Sequence, residues 1–307
     1  MPAPRIGSAP RAAIGLDPHV HVELTTPHPH ALDTIQSDLA SWQQDGLPVQ
    51  LHPGDLGWQW RFGPAVLAKA LRVWTANETV VAIGFLDQAS LIRMGVTPSA
   101  DQDEELAEAL VRDLQDPTRG VLTGDKVVVE ARFGMAFRTL LHQRGWIDDD
   151  PWTPLVHDLQ DPVEVPALRV ENVGHDRVAD RVAVQRAAFN CSTFTPGLWT
   201  VMSQSPAYRN ARCLVGYDGQ DNAVAAATVW SAGAGRPGLL EPMGVHRDHR
   251  GHGYGTAITL AAASALQDMG ASSATVATPT SNADAVATYA SAGFRRTPAV
   301  TDFALTR

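Results

Sequence analysis

The stretch Gly244–Ala257, GVHRDHRGHGYGTA, combines four glycines, two arginines and three histidines with one acidic residue. It belongs to a chain of 307 residues whose formal net charge is -9. An apolar run ends at Val245, and a run with helical spacing begins near Gly253. Glycine lets a backbone approach a phosphate closely, and the first turn of a helix offers unpaired N–H groups. The stretch therefore predicts a strand, a phosphate-binding loop and a helix, with Gly251, Gly253, Gly255 and Arg250 at the phosphate.

Two common phosphate-binding loops do not fit this stretch. A dinucleotide fingerprint needs glycine at the sixth position, where counting from Gly251 places Thr256. A P-loop needs lysine, and both lysines, Lys69 and Lys126, lie in the first half of the chain. The pattern that remains is Arg-x-x-Gly-x-Gly.

That pattern, with its flanking segments, resembles the GCN5-related N-acetyltransferases, the GNAT superfamily. The segment LLEPMGVHRDHRG resembles the central strand of that family, and NADAVATYASAGF at 282–294 resembles its next conserved helix. The resemblance covers roughly residues 165–307. It implies an α/β (α+β) fold, in which a mixed, mostly antiparallel sheet is flanked by helices.

The resemblance also implies acetyl-CoA as co-substrate, and it assigns roles to particular residues. Backbone groups of Met243 and Val245 pair with the pantetheine arm, and Asn282 contacts it. Tyr289 lies near the sulfur and protonates the leaving thiolate, since a phenol is protonated at neutral pH. The pyrophosphate is held by backbone N–H groups of Arg250, Gly251, His252, Gly253, Tyr254, Gly255 and Thr256.

Glu241 is the candidate for the general base. It precedes Met243 by two residues on the predicted strand, so alternation predicts that both side chains face one side of the sheet. A carboxylate there could accept the proton that an attacking amine must lose. The alternative is a structural acid paired with an arginine.

Aromatic and histidine residues near the predicted site have two interpretations each. Phe194, Trp199 and Trp230 lie where the family builds its acceptor pocket, but large aromatic residues also build cores. The histidines of the loop have no carboxylate or cysteine cluster beside them, and those at positions 19–30 are only weak candidates. We therefore predict no metal.

The chain contains an internal duplication. IRMGV ends at Val96 and EPMGV ends at Val245, an offset of 149, while RGW and AGF recur at an offset of 148. We predict a flexible start at 1–20, a degenerate GNAT-like domain at 21–160 and the acetyl-CoA-binding catalytic domain at 161–307. This tandem form resembles mycothiol synthase-like acetyltransferases.

The first half lacks the cofactor residues of the second. The offset places Asp101 and Glu104 where Arg250 and Gly253 stand, so acids occupy the predicted phosphate site. Leu106 replaces Gly255, Leu141 replaces Tyr289, and Gly134 replaces Asn282. The first half is therefore predicted to pack against the active half without binding cofactor.

Local patterns predict the elements of both halves. A strand is predicted over 19–24 and helices over 31–46, 65–74, 103–115, 134–145, 179–189, 253–270 and 282–293.

Composition excludes several classes of protein. The acidic balance argues against nucleic-acid binding. No apolar run approaches the roughly 18 residues of a membrane span, and the start lacks a secretory h-region, so we expect a cytoplasmic protein without membrane contact. Two cysteines, Cys191 and Cys213, form no disulfide framework.

The prediction for function is transfer of an acyl group, acetyl first, to a primary amine of a small molecule by direct attack. The alternative is a non-catalytic acyl-CoA sensor or scaffold. A nucleotide-dependent enzyme is disfavoured because the loop lacks lysine and the glycine spacing of a dinucleotide fingerprint. The sequence leaves open monomer or homodimer.

Overall fold

The computed structural model describes residues 21–164 and 167–307. The predicted flexible start, residues 1–20, and residues 165–166 lie outside the described residues. Within them, no helix is both long and apolar enough to cross a bilayer.

The strands of the described residues join in one mixed sheet. Its order is β1-β2-β3-β4-β5-β13-β6-β11-β10-β9-β8-β7, with β12 paired to β6. Most neighbours are antiparallel, and β4·β5 and β10·β11 are parallel. The strands are β1 Val22–Thr25, β2 Leu71–Ala76, β3 Thr79–Gln88, β4 Leu91–Val96, β5 Lys126–Glu130, β6 Ile147–Asp158, β7 Arg169–Asn172, β8 Ala211–Tyr217, β9 Ala223–Trp230, β10 Gly238–Val245, β11 Ser273–Pro279, β12 Arg295–Arg296 and β13 Val300–Thr306.

Helices cover both faces of the sheet. In each half, one group of helices packs on one face and a second group on the other, which gives each half two apolar clusters. The helices are α1 Leu32–Trp42, α2 Pro53–Gln59, α3 Pro64–Ala70, α4 Glu104–Gln115, α5 Met135–Gln143, α6 Val178–Ala188, α7 Pro196–Ser203, α8 Tyr254–Asp268 and α9 Ala283–Ser291. The predicted α/β (α+β) class, with mostly antiparallel sheets flanked by helices, is confirmed.

The last strand of each half lies beside the other half. β6, which ends the first half, pairs over residues 152–158 with β11 of the second half. β13, which ends the chain, pairs with β5 of the first half and with β6. The boundary between residues 160 and 161 stays a prediction, and the strands on each side of it complete each other's sheets.

Two local predictions need correction. The helix predicted over 65–74 ends at Ala70, and Leu71 begins β2. Val73 and Trp74 pair there with Ile83 and Ala82 of β3, so long-range pairing overrides the local helical spacing. The predicted strand from residue 19 is described only from its later part, where β1 begins at Val22.

The helices α2 and α7 were not predicted. Both are short and have proline in the first turn. α2 is stabilised by a capping box, in which the His52 ring accepts from the Gly54 N–H at 2.9 Å and Asp55 accepts from the His52 N–H at 2.7 Å. Sequences this short carry little periodicity.

Candidate active site

The strands β10 and β11 separate in the middle of the second half. They pair in parallel only at Gly238 and Leu239, while β10 continues beside β9 to Val245. The register with β9 shifts between Leu240 and Met243, which is a bulge of one residue. Beyond Leu239, the edge of β10 that faces β11 therefore has no partner strand.

The backbone groups of Met243 and Val245 point into this gap. The His246 N–H donates to the Val224 carbonyl of the β9 side at 2.8 Å. In an antiparallel pair, alternate residues direct both backbone groups toward the partner strand. Gly244 therefore faces β9, and the neighbouring Met243 and Val245 present their N–H and C=O groups to the opposite side. This is where the sequence predicted the pantetheine arm.

The bulge corrects the predicted orientation of Glu241. Leu240 and Met243 share one face, because the two residues between them oppose a single residue of β9, and both pack in the apolar cluster under α8 and α9. Glu241 instead has an exposed side chain. Its carbonyl accepts from the indole N–H of Trp230 at 2.8 Å. The general-base candidate is therefore open to solvent beside the gap, on a different side from Met243.

The glycine-rich loop leaves open space beside two of its glycines. Gly251 and Gly253 have φ values of +80° and +79°, which favour glycine, and a Cβ at either would have no neighbour within 4 Å. Gly253 precedes α8, whose first turn has no side-chain cap. Tyr254 and Thr256 lie in that turn. The N–H groups there are available to an anion.

The third glycine has a different role from the predicted one. A Cβ on Gly255 would lie 2.9 Å from Cγ2 of Thr288 and 3.5 Å from Cγ2 of Val245. Gly255 therefore allows α8 to approach α9 closely, next to Tyr289. Close packing of the two helices, rather than approach to phosphate, explains this glycine.

Side chains of the loop turn back toward the protein. Arg250 Nη2 donates to the Ala188 carbonyl at 3.1 Å, at the carboxyl end of α6, and Arg247 Nε donates to the Ala187 carbonyl at 2.8 Å. The Nδ1 atom of His252 lies 2.8 Å from the Arg250 carbonyl. The loop is thus braced by its side chains, and its backbone N–H groups are the part left to face a ligand.

Asn282 begins the helix that carries Tyr289. Its Oδ1 accepts from the Ala285 N–H at 3.3 Å, so it is the N-cap of α9. The side-chain amide N–H group takes no part in this cap interaction, and its contact with pantetheine stays a prediction.

Tyr289 and Glu241 lie close enough to influence each other. Tyr289 is 6% exposed and packs against Phe294, with ring centroids 6.0 Å apart. Burial raises the pKa of Tyr289, and the charge of Glu241 raises it further, so the phenol is protonated at neutral pH. Solvent reaches the Glu241 side chain, but protein atoms of both halves also surround its carboxylate. The resulting partial desolvation raises the pKa of Glu241 to about 7, and Arg93 acts in the opposite direction.

The first half supplies charges that the sequence did not predict. Arg93 on β4 donates to Asp55 on α2 at 2.9 Å and to Glu130 on β5 at 3.2 Å. Arg93, Asp55 and Glu130 all act on the pKa of Glu241. A charged residue inside an apolar strand, LIRMGV, was the available signal.

The three aromatic candidates for the acceptor pocket are core residues. Phe194, Trp199 and Trp230 are buried in one apolar cluster of the second half. Trp230, 1% exposed, fills the space beside two glycines of α2, since a Cβ on Gly54 would lie 2.5 Å from its Cβ. The predicted substrate contact is therefore corrected to core packing, which for Trp230 and Phe194 joins the two halves.

We call the gap beside Met243 and Val245 the open slot. The equivalent slot of the first half, beside Met94 and Val96, is filled by other residues of that half. There, the Thr97 N–H donates to the Val81 carbonyl, so Met94 and Val96 face away from β3, as Met243 and Val245 face away from β9. The side-chain amide of Gln50 donates to the Val96 carbonyl at 3.0 Å and accepts from the Val96 N–H at 2.8 Å. The Leu51 N–H donates to the Met94 carbonyl at 3.3 Å.

A separate cavity of about 870 Å³ lies at the other end of β10 and β11. Residues of both halves line it, among them Asp45, Pro237, Ser273 and Thr275. It shares no residue with the glycine-rich loop. Among the described residues, no group of three His, Cys, Asp or Glu side chains is arranged to hold a metal ion.

Comparison with known proteins agrees with this geometry. Residues 186–294, which contain the gap, the loop and Tyr289, match the model of the acetyltransferase (GNAT) family. These residues form a GNAT acetyltransferase domain. No curated protein matches the chain significantly.

Solved structures show the fold of the whole chain. A GCN5-related N-acetyltransferase from Sphaerobacter thermophilus aligns with a TM-score of 0.55 at 18% identity, over 92% of this chain and 95% of that chain. A GNAT-family acetyltransferase from Colwellia psychrerythraea aligns with a TM-score of 0.59 at 13% identity, over 94% and 100%. A tandem GNAT protein from the clavulanic acid biosynthesis pathway aligns with a TM-score of 0.61 at 15% identity, over 93% and 98%. The described chain therefore has a tandem GNAT fold.

Proposed function

We propose that the second half transfers an acyl group, acetyl first, from acyl-CoA to a primary amine of a small molecule. One observation carries the proposal. The backbone groups of Met243 and Val245 face an open gap, whereas the equivalent groups of Met94 and Val96 are bound by the Gln50 amide and the Leu51 N–H. The same slot is closed in one half and open in the other.

The residues at this slot fit acetyl-CoA. The filled slot shows that a primary amide can satisfy this strand edge, and the pantetheine arm carries amides of its own. The pantetheine arm would lie along Met243 and Val245 like an added strand. Backbone N–H groups from Gly251 to Thr256, at the start of α8, would hold the pyrophosphate. Asn282 lies at the start of α9, the helix that carries Tyr289.

Glu241 and Tyr289 provide the two proton transfers. When bound, acetyl-CoA supplies the thioester whose carbonyl carbon the amine attacks. The amine nitrogen forms the new C–N bond and loses a proton to Glu241, directly or through water. The C–S bond breaks, and the Tyr289 hydroxyl gives its proton to the sulfur. The exposed side of Glu241 lets solvent remove the accepted proton afterwards, and a proton from solvent returns to the Tyr289 phenolate to complete the cycle.

The first test is a calorimetric titration of the full chain with acetyl-CoA. We expect one site per chain. Thr256→Glu adds an acid to the first turn of α8, which favours the helix but repels pyrophosphate, so affinity should fall at least tenfold. Ala65→Glu, an exposed residue in the first turn of α3, is the matched control and should not change affinity.

Several outcomes would contradict the proposal. Two sites per chain would show that Gln50 does not close the first slot. An equal loss of acetyl-CoA affinity in Thr256→Glu and Ala65→Glu would show that the loop is not part of the binding site. Tight acetyl-CoA binding with no acetylation across a panel of primary amines would favour the sensor or scaffold instead.

A further inference from the structure

An arginine of the first half lies near the general-base candidate of the second half. Arg61 belongs to the short 3-10 helix Trp60–Phe62, which continues α2 without a break. Gly57 and Arg61 are four residues apart, so they lie on one side of this segment. A Cβ on Gly57 would overlap the ring of Trp230, whose indole N–H binds the Glu241 carbonyl at 2.8 Å. Arg61 therefore lies one turn beyond this contact.

Two aromatic rings hold the guanidinium of Arg61. Its Cζ atom lies 4.3 Å from the ring centroid of Trp58 and 4.4 Å from that of Phe62. The Trp58 ring packs in turn on Phe194 of the second half, with ring centroids 5.1 Å apart. Arg61 is only half-buried and Phe62 is 47% exposed, so a ligand can reach the guanidinium from solvent.

The guanidinium of Arg61 keeps a free edge of two donors. Its Nη1 atom donates to the Trp58 carbonyl at 2.7 Å, while Nε and Nη2 have no partner among the residues that the structure describes. No carboxylate of those residues lies within ion-pair distance of Arg61. The Nε–Nη2 edge carries two parallel N–H groups, the arrangement that binds one carboxylate with two hydrogen bonds.

The acids near Arg61 do not compensate its charge. Burial lowers the pKa of Arg61 to about 10, although the charges of Asp87 and Glu241 act in the opposite direction. Asp87 is exposed and accepts instead from the side-chain amide of Gln59 at 3.2 Å. The Glu241 carboxylate has no ion-pair or hydrogen-bond partner in the described part of the chain. Arg61 and Glu241 are thus neighbouring opposite charges that do not touch.

The other charged groups that act most on Glu241 are bound to one another. They are two arginines, Arg93 and Arg132, and two acids, Asp55 and Glu130. Arg93 pairs with Asp55 at 2.9 Å and with Glu130 at 3.2 Å, and Arg132 pairs with Glu130 at 3.2 Å. These four charges balance, which leaves Arg61 as the guanidinium available to a ligand beside Glu241.

We propose that Arg61 binds the carboxylate of the acceptor, so that the acceptor is an amino acid. The inference rests on the proposed function. The amine of the acceptor lies beside Glu241, and its carboxylate lies on the Nε–Nη2 edge of Arg61. Before the amine loses its proton, the molecule carries one cation and one anion, which are opposite in sign to Glu241 and Arg61 respectively.

The experiment compares ω-amino acids of two to six carbons with n-alkylamines of equal carbon number, in which a methyl group replaces the carboxylate. The range of lengths allows the series to match the separation of Arg61 and Glu241. Binding to the full chain is measured by calorimetry with CoA present, and kcat/KM is measured with acetyl-CoA at equal concentrations of neutral amine. At the best length, we expect the amino acid to be favoured at least tenfold in both measurements.

Arg61→Gln removes the charge and the paired donor edge. It should bring the best amino acid down to the level of its alkylamine. Arg72→Gln is the matched control, because Arg72 is also half-buried and, among the described residues, donates only to the carbonyls of Lys69, Leu71 and Gly120. The control should keep the full preference. Arg61→Lys keeps the charge but lacks the two parallel donors, so it should also lower the preference.

The outcomes separate this inference from the proposed function. Amino acid binding that depends on Arg61 but is not followed by transfer would support the carboxylate site and contradict the transferase. Transfer to amino acids and alkylamines at equal kcat/KM, or a preference that survives Arg61→Gln, would overturn the carboxylate site alone. A preference for aminoalkyl phosphates over amino acids of equal length would also overturn it, and would assign the edge of Arg61 to phosphate.

The comparison of amino acids with alkylamines on the wild-type chain needs no variant. The inference therefore stays open to refutation even if Arg61→Gln misfolds. Correct folding of each variant is checked by its acetyl-CoA affinity, which should equal that of the wild type.

Discussion

The role of Gly255 can be tested by adding one methyl group. In Gly255→Ala the new Cβ would lie 2.9 Å from Cγ2 of Thr288, so α8 or α9 must shift. Overpacking of this kind costs about 1–3 kcal/mol. Alanine in place of glycine also stabilises a helix by roughly 0.5–1 kcal/mol. The expected net effect is a loss of about 1 kcal/mol in the free energy of unfolding.

A second substitution removes the obstacle. Thr288→Ser deletes the methyl group that the new Cβ meets and keeps the hydroxyl that donates to the Asp284 carbonyl at 2.8 Å. In that background Gly255→Ala should stabilise the protein by roughly 0.5–1 kcal/mol, because only the helix propensity remains. The effect of one substitution thus changes sign. The coupling of about 2 kcal/mol exceeds the roughly 0.5 kcal/mol deviations of independent sites.

Urea unfolding of the four proteins measures the cycle, and titration with acetyl-CoA measures the phosphate site. If Gly255 serves helix packing, the double variant should bind acetyl-CoA with wild-type affinity. Loss of affinity in both backgrounds, without a change of sign in stability, would refute the packing explanation. It would instead restore the predicted close approach of the Gly255 backbone to phosphate.

The remaining predictions concern the closed slot and the two proton-transfer residues. Gln50→Leu leaves the buried N–H and C=O of Val96 without partners, so the free energy of unfolding in urea should fall by about 2–4 kcal/mol. Acetyl-CoA affinity should stay unchanged. An unchanged free energy of unfolding would contradict the role of Gln50 in closing the first slot. Tyr289→Phe should lower kcat about a hundredfold or more without changing acetyl-CoA affinity, which single-turnover kinetics and calorimetry would separate. Because the pKa of Glu241 is raised to about 7, the carboxylate is protonated and inactive as a base in mild acid, so the rate should rise with pH through about 7. Glu241→Gln should remove that rise, and a retained rise would assign the base to another group.

The sequence predicted the parts of the site that depend on neighbours along the chain. The glycine positions of the loop, the helix start near Gly253 and the helix start at Asn282 are local properties, because a few adjacent residues determine turn conformation and helix capping. The internal offset of 149 likewise identified Met94 and Val96 as the counterparts of Met243 and Val245. It also predicted that the first half had lost its cofactor residues.

Only the tertiary structure decided how the open slot differs from the closed one and which charges surround Glu241. The exchange of β6 and β13 brings Asp302 beside Glu130, 172 positions away in the chain. Gln50 closes the first slot through an amide that no periodicity marks, and the bulge after Leu240 turns Glu241 away from Met243. The reason is physical: strand pairing and ion pairs join residues distant in sequence, and their free energy depends on what the fold brings together. Local pattern records the backbone of the glycine-rich loop, whereas the surroundings of Glu241 are assembled by contacts between the halves.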